Sequence, residues 1–255
     1  MILIILIPFI GTILGALMVF FIKENTNEEI NLKNVLYGLS SGVMLASAIF
    51  SLLIPSINYF DSSKFMKIFP TSMGLLCGFI VMILIDKIAQ KLVIKRKKDK
   101  SNFEKNSFTL KKNLLLFIAL TIHNIPEGMA VGIGLLESTL NSGLILSLGI
   151  AIQNIPEGLI AALPFKECKD LSKFSFLFGI FSGIVEPIFA IITLNIAKNF
   201  LYFMPYMLSF ACGCMIYVVI KELIPSFTEK DEKNFGIISF IIGFIIMMTL
   251  DVCLT

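Results

Sequence analysis

The sequence predicts an all-α integral membrane protein with eight transmembrane helices, and three observations carry that prediction. Of the 255 residues, 56% are hydrophobic and only 15% charged, with a mean hydropathy of +0.90, whereas soluble globular chains are roughly 45–50% apolar and about one quarter charged. Apolar runs of about 20 residues, the length that crosses a bilayer, recur along the whole chain. Lys and Arg gather on alternate connectors, as they do where charge sets the orientation of the spans.

The spans fall at about 2–22, 34–58, 69–94, 112–136, 141–165, 173–197, 202–225 and 234–254. The first begins at residue 2 with no basic lead-in and is long enough to span, so it reads as a helix rather than a cleavable signal. With 24 Phe and no Trp, an aromatic belt has to be made by Phe and Tyr. The five cysteines (Cys77, Cys168, Cys212, Cys214 and Cys253) are scattered through apolar runs, where small apolar packing is their expected role. Cys212 and Cys214 lie two apart, about 200° around a helix, and so are poorly placed to grip one ion.

Of the 21 Lys and Arg, only Lys64, Lys67 and Lys198 fall on one side when the connectors alternate. The richer side is expected to be cytoplasmic, which puts both termini outside. The segment about 95–111 opens Lys95-Arg96-Lys97-Lys98-Asp99-Lys100 and reads as a charged cytoplasmic loop.

Two phrases interrupt the apolar runs. His123-Asn124-Ile125-Pro126-Glu127-Gly128 lies in the fourth span, and Gln153-Asn154-Ile155-Pro156-Glu157-Gly158 lies in the fifth. A carboxylate inside a membrane segment is expensive and marks a functional site by default. On a helix, residues three and four apart share a face, so His123, Asn124 and Glu127 converge, and Gln153, Asn154 and Glu157 do likewise. Imidazole and carboxylate suit divalent first-row metals, and amide oxygens add weaker ligands. Pro126 and Pro156 have no N–H for the carbonyls of Ile122 and Ile152, so both helices are expected to kink beside the acids. Facing carboxylates repel one another unless a cation is shared between them. The sixth span adds Glu186, again followed by a proline, Pro187, and is expected to belong to the same site. Each piece alone has an ordinary explanation, a packed histidine or a kink beside a protonated acid. Two copies in adjacent spans argue against it.

The other polar residues of the spans are read more plainly. Ser40, Ser41, Gly42, Met44, Ser47 and Ser51 form a small and polar stripe on the second span, which close helix packing explains. Glu222 beside Lys221 is read as an interfacial charge, with the exit of a metal path as its alternative, and Asp86 and Asp251 near span ends are read as interfacial charges.

At these residues the chain resembles the ZIP family of metal-ion transporters, in its bacterial branch. Besides the three acidic motifs, Ser41-Gly42-Val43-Met44-Leu45-Ala46-Ser47 in span two and Lys221-Glu222-Leu223-Ile224-Pro225 in span seven match that branch. The resemblance covers the whole chain. It implies a metal site between helices four, five and six, with helix two. A first ion would take Met44, His123, Glu127, Gln153 and Glu157, and a second Asn124, Glu127, Asn154, Glu157 and Glu186. Many members carry His where Gln153 stands and some carry Asp where Asn154 stands, which makes this site less charged.

The resemblance further implies import of divalent metal, Zn²⁺ first, with Fe²⁺, Mn²⁺ and Cd²⁺ as further cargo, by alternating access in the inner (plasma) membrane. Spans one, four, five and six would form a transport bundle against a scaffold of two, three, seven and eight, the stripe of span two facing the acids. The metal is cargo, and no cofactor is expected. The partners are the metal and the bilayer, not nucleic acid; a homodimer is left open. Two other classes compete. A metal-independent proton or anion carrier could use the acids alone. An intramembrane metal hydrolase is disfavoured because the single histidine, His123, leaves no His-Glu-x-x-His pair.

Overall fold

The computed structural model describes residues 1–22, 27–59, 64–94, 103–137, 140–166, 168, 171–228 and 233–254. They form helices and no strand. Eight long helices follow one another. The first, α1, is Ile2–Met18, tightened at its end into a 3-10 turn, Val19–Phe21. The second, α2, covers 27–58: Asn27–Ser47 runs through a π turn at Ala48–Leu53 into Ile54–Asn58. Then come α3 (Lys64–Ile94), α4 (Phe103–Glu137) and α5 (Leu140–Lys166). In α6 the helices Ser175–Gly183 and Val185–Phe200 are separated at Ile184. Next, α7 covers 204–228, with Met204–Val218, a π turn at Val219–Leu223, and Ile224–Thr228. The last, α8, is Phe235–Leu254. Seven of these helices are, among the described residues, long and apolar enough to cross a membrane. The remaining one, α4, has 35 residues and carries the first acidic motif.

Helix continues through two of the membrane prolines and breaks beside a third. Through Pro126 and Pro156, α4 and α5 run on without a break. In α6 the break at Ile184 comes just before Glu186 and Pro187, where Gly183 loses its carbonyl partner. The π turns of α2 and α7 lead into Pro55 and Pro225. Widening the preceding turn accommodates a proline ring without ending the helix.

One expectation is corrected. Residues 103–111 are helical and open α4, so the charged loop is shorter than about 95–111; residues 95–102 lie outside the described residues. No Gly or Pro interrupts 103–111. A search for apolar length cannot see a helix that continues past the membrane edge in polar residues.

Four close pairs organise the bundle: α1 with α5, α4 with α6, α2 with α8, and α3 with α7. Each uses glycines spaced by four: Gly11 and Gly15, Gly128 and Gly132, Gly38 and Gly42, Gly74 and Gly78. A Cβ on Gly15 would collide with the Ile155 carbonyl, and one on Gly42 with that of Phe240. Lipid tails are as apolar as leucine, so helices associate through close backbone approach rather than burial of apolar surface. Between α2, α4, α5 and α7 lies an apolar seam that includes Met44, Leu120, Ile160, Ala161 and Met215. Phe165 of α5 stacks on Phe178 of α6 at 3.6 Å, with Phe117 of α4 edge-on to both. Outward faces, such as Ile237, Ile241 and Ile245 on α8, are exposed to where lipid would lie.

Candidate metal centre

Helices α1, α2, α4, α5 and α6 bring a dense set of polar side chains into the middle of an apolar bundle. Asn124, Glu127, Gln153, Asn154, Glu157 and Glu186 are all buried, none more than 2% exposed. Charged groups so placed need partners that repay the loss of water.

The first cluster centres on Gln153. Its Nε2 donates to Glu127 Oε1 and, at 3.1 Å, to Glu157 Oε1, while its Oε1 accepts from the Ser47 hydroxyl of α2. One amide therefore joins the two carboxylates of the repeated phrase. The i,i+4 spacing of Gln153 and Glu157 on α5 makes one of these contacts local, and the other crosses to α4.

The second cluster centres on Glu186. Asn154 Nδ2 donates to Glu186 Oε2 at 2.8 Å and to the Pro8 carbonyl at 3.3 Å. From α1, Thr12 Oγ1 reaches Glu186 Oε1 at 3.1 Å. Glu157 links the clusters, since it is a charged neighbour of both Glu127 and Glu186. Asn124 anchors α4 to the α6 break by donating Nδ2 to the Ser182 carbonyl at 2.9 Å.

What is left over has one chemical character. Asn124 Oδ1, Glu127 Oε2 and Asn154 Oδ1 are buried with no hydrogen-bond partner among the described residues. All three are oxygen acceptors. Buried polar groups are rarely left unsatisfied, and a hard-to-borderline cation accepts carboxylate and amide oxygen together. The donor set thus fits a divalent ion as cargo. Among the described residues, no three His, Cys, Asp or Glu side chains form a ready cage. The Gln153 amide stands between two of the acids.

Of the residues singled out from the sequence, Glu127, Gln153 and Glu157 meet in one cluster and Asn154 and Glu186 in the other. The backbone of His123 lies in α4, and its side chain lies outside the described residues. Met44 is fully buried in the apolar seam beside Leu120 and Ile160. The stripe on α2 divides: Ser47 meets Gln153, whereas Gly42 packs against α8. Cys212 and Cys214 are buried in the seam, as packing residues are.

Three contacts go beyond the sequence reading. Thr12 carries little sequence signal beyond its place between Gly11 and Gly15. Asp251 is half-buried and accepts from Ser51 at 2.6 Å, continuing a serine ladder in which Ser47 lies 3.4 Å from Ser51. Asp86 forms an ion pair with Lys221 and accepts from Tyr217 at 3.1 Å, tying α3 to α7. Both acids are more than interfacial charges.

Known proteins resemble this chain closely enough to compare. The family model described as ZIP Zinc transporter matches residues 94–251. The chain is 30% identical over 216 residues to Zinc transporter ZupT of Corynebacterium aurimucosum, covering 82% of this chain and 81% of that protein. It is 28% identical over 250 residues to Zinc transporter ZIPB of Bordetella bronchiseptica, covering 96% and 78%. It is 40% identical over 147 residues to Zinc transporter ZIP11 of Homo sapiens, 54% of this chain, and the match spans less than half, 42%, of the human protein.

Proposed function

The chain belongs to the ZIP family, and from that premise we propose that it transports divalent metal ions, zinc in particular, across a membrane. It is a transporter by family and not an enzyme. The observation that carries the reading is the Glu127–Gln153–Glu157 cluster, buried beside Glu186 with three acceptor oxygens unsatisfied. Such a cluster is costly to keep in a bilayer unless a cation uses it.

Two ions fit the ligands available. The first would be held by His123, Glu127, Gln153 and Glu157, with Met44 as a soft, weak ligand from α2. The second would be held by Asn124, Glu127, Asn154, Glu157 and Glu186. The carboxylates of Glu127 and Glu157 would bridge the two. Amide and carboxylate oxygens outnumber nitrogen and sulfur here, which suits Fe²⁺ and Mn²⁺ as further cargo, whereas Cd²⁺ would depend on His123 and Met44.

Movement would come from α1, α4, α5 and α6 shifting as one body against α2, α3, α7 and α8. The close pairs α1–α5 and α4–α6 fall within the first set, and α2–α8 and α3–α7 within the second. The seam between the sets is largely apolar, through Met44, Leu120, Ile160 and Met215, and makes few specific bonds to break. The Lys and Arg bias supports an orientation with both termini outside the plasma membrane, and uptake toward the cytoplasm is the direction we propose.

The test is zinc uptake into proteoliposomes holding the purified chain. Uptake saturates with zinc and is lost in Glu127→Ala. Normal uptake by that variant overturns the reading, and proton flux without metal would favour a proton carrier built on the same acids.

A further inference from the structure

Among the ligand candidates whose side chains are described, Gln153 must change partners for metal to arrive. Its Nε2 points at Glu127 and Glu157, the two groups a cation needs, and its Oε1 points away, at Ser47. Amide nitrogen cannot ligate a cation; amide oxygen can. Loading through Gln153 therefore requires the amide to turn over, so that Oε1 faces the ion and Nε2 faces α2.

We infer that Ser47 is the positioning residue for this turn, a part that rests on the metal reading of Glu127 and Glu157. Three facts combine. A hydroxyl both donates and accepts, so Ser47 can serve either face of the amide: it donates to Oε1 before loading and accepts from Nε2 afterwards. Its own proton then needs another destination, and Ser51 Oγ lies 3.4 Å away. Ser51 in turn donates to Asp251 Oδ1 at 2.6 Å, so its oxygen remains available to receive. Before the exchange Glu127 and Glu157 hold both Nε2 hydrogens; after it Ser47 accepts one of them and passes its own proton to Ser51. Ser47 is 2% exposed and Gln153 1%, so water does not readily replace either partner.

An alanine at position 47 affects the two orientations unequally. Before loading, the amide still has Glu127 and Glu157 to hold its nitrogen, and only a carbonyl oxygen goes short. After loading, the buried N–H loses the acceptor offered by α2, and orphaned buried N–H groups are rarer than short-changed carbonyls. Ser47→Ala therefore weakens metal binding through Gln153 and through no other ligand.

The experiment is a double-mutant cycle on the full chain in lipid nanodiscs, titrated calorimetrically with zinc chloride. Ser47→Ala weakens zinc binding about fivefold when Gln153 is present. In Gln153→Ala, adding Ser47→Ala changes affinity less than twofold, although both chains elute as folded protein. An equal loss in both backgrounds, or none in either, overturns the role of Ser47. Should Ser47→Ala fail to fold, Ser47→Cys, whose thiol is only a weak acceptor, reads the same contrast. Glu127→Ala separates the two readings: its retaining full affinity would remove the metal site itself, and the role of Ser47 with it.

Discussion

Thr12 Oγ1 of α1 donates to Glu186 Oε1 of α6 across 3.1 Å, both side chains being 1% exposed. The contact makes α1 part of the polar centre rather than a lipid-facing wall. Thr12 has a second acceptor, the Pro8 carbonyl at 3.4 Å, so its proton is held between an acid and the turn below.

Thr12→Val keeps the shape and removes the donor. A buried carboxylate then loses one of its hydrogen bonds, which costs about 1–3 kcal/mol. The thermal midpoint in detergent is expected to fall by about 2–12 °C for a chain of this size, and zinc uptake to fall with it. Thr12→Ser retains the hydroxyl and should stay near the wild-type midpoint. Equal behaviour of the two variants in thermal scans would show that the hydroxyl does nothing for Glu186.

Two glycines on neighbouring helices make opposite predictions. A Cβ at Gly15 would strike the Ile155 carbonyl of α5, whereas a Cβ at Gly149 meets nothing within 4 Å. Gly15→Ala should push α1 from α5 and deplete the monodisperse size-exclusion peak. Gly149→Ala should leave that peak intact and raise stability by up to about 1 kcal/mol through helix propensity. A normal peak for Gly15→Ala would mean that α1 and α5 have slack the packing does not show.

The unequal legibility of the site has a physical cause. Glu127 and Glu157 stand out because a carboxylate in an apolar run is costly and the surrounding phrase occurs twice. Glu186 stands out for the same cost and for its proline. Thr12 does not, and Ser47 shows only as one member of a packing stripe, since a hydroxyl can satisfy itself on its own helix at little expense and leaves little mark on hydropathy. Thr12 does bond to Pro8 in that way, yet it also reaches Glu186. The eight spans are legible from apolar length, but the helical residues 103–111 are not, because length in lipid says nothing of length in water. Glycines four apart on α1, α2, α3 and α4 are present in the sequence and mark one member of each pair, but not its partner. The π turns are signalled only by Leu-Ile-Pro-Ser, which occurs at 53–56 and again at 223–226.

Lys221 tests how much an exposed ion pair adds. It pairs with Asp86, donates to Tyr217 Oη at 2.9 Å and lies 5.3 Å from the centre of that ring. The ammonium is 38% exposed, so solvent screens much of the attraction and such pairs contribute about 0–1 kcal/mol. Lys221→Met should therefore shift the thermal midpoint by less than about 4 °C. A larger fall in a thermal scan would show that the Asp86–Tyr217–Lys221 group couples α3 to α7 beyond a surface pair.

Asn154 separates the needs of the empty site from those of the loaded one. Its Nδ2 donates to Glu186 Oε2 at 2.8 Å and to the Pro8 carbonyl, so in the absence of metal it acts as a donor holding an acid in place. Asn154→Asp replaces that donor with a second anion beside Glu186, and like charges in a poorly solvated site repel strongly. With chelator present, the variant should unfold several degrees below wild type. A bound cation reverses the sign, because the added carboxylate becomes a ligand where Asn154 Oδ1 now has no described partner. Ligand that binds only the folded state stabilises it by RT ln(1 + [L]/Kd), which grows as the site binds more tightly. Zinc should therefore raise the midpoint of Asn154→Asp by more than it raises that of wild type. Paired thermal scans with chelator and with zinc measure both arms. A variant that loses stability without zinc and regains none with it would place the second ion away from Asn154.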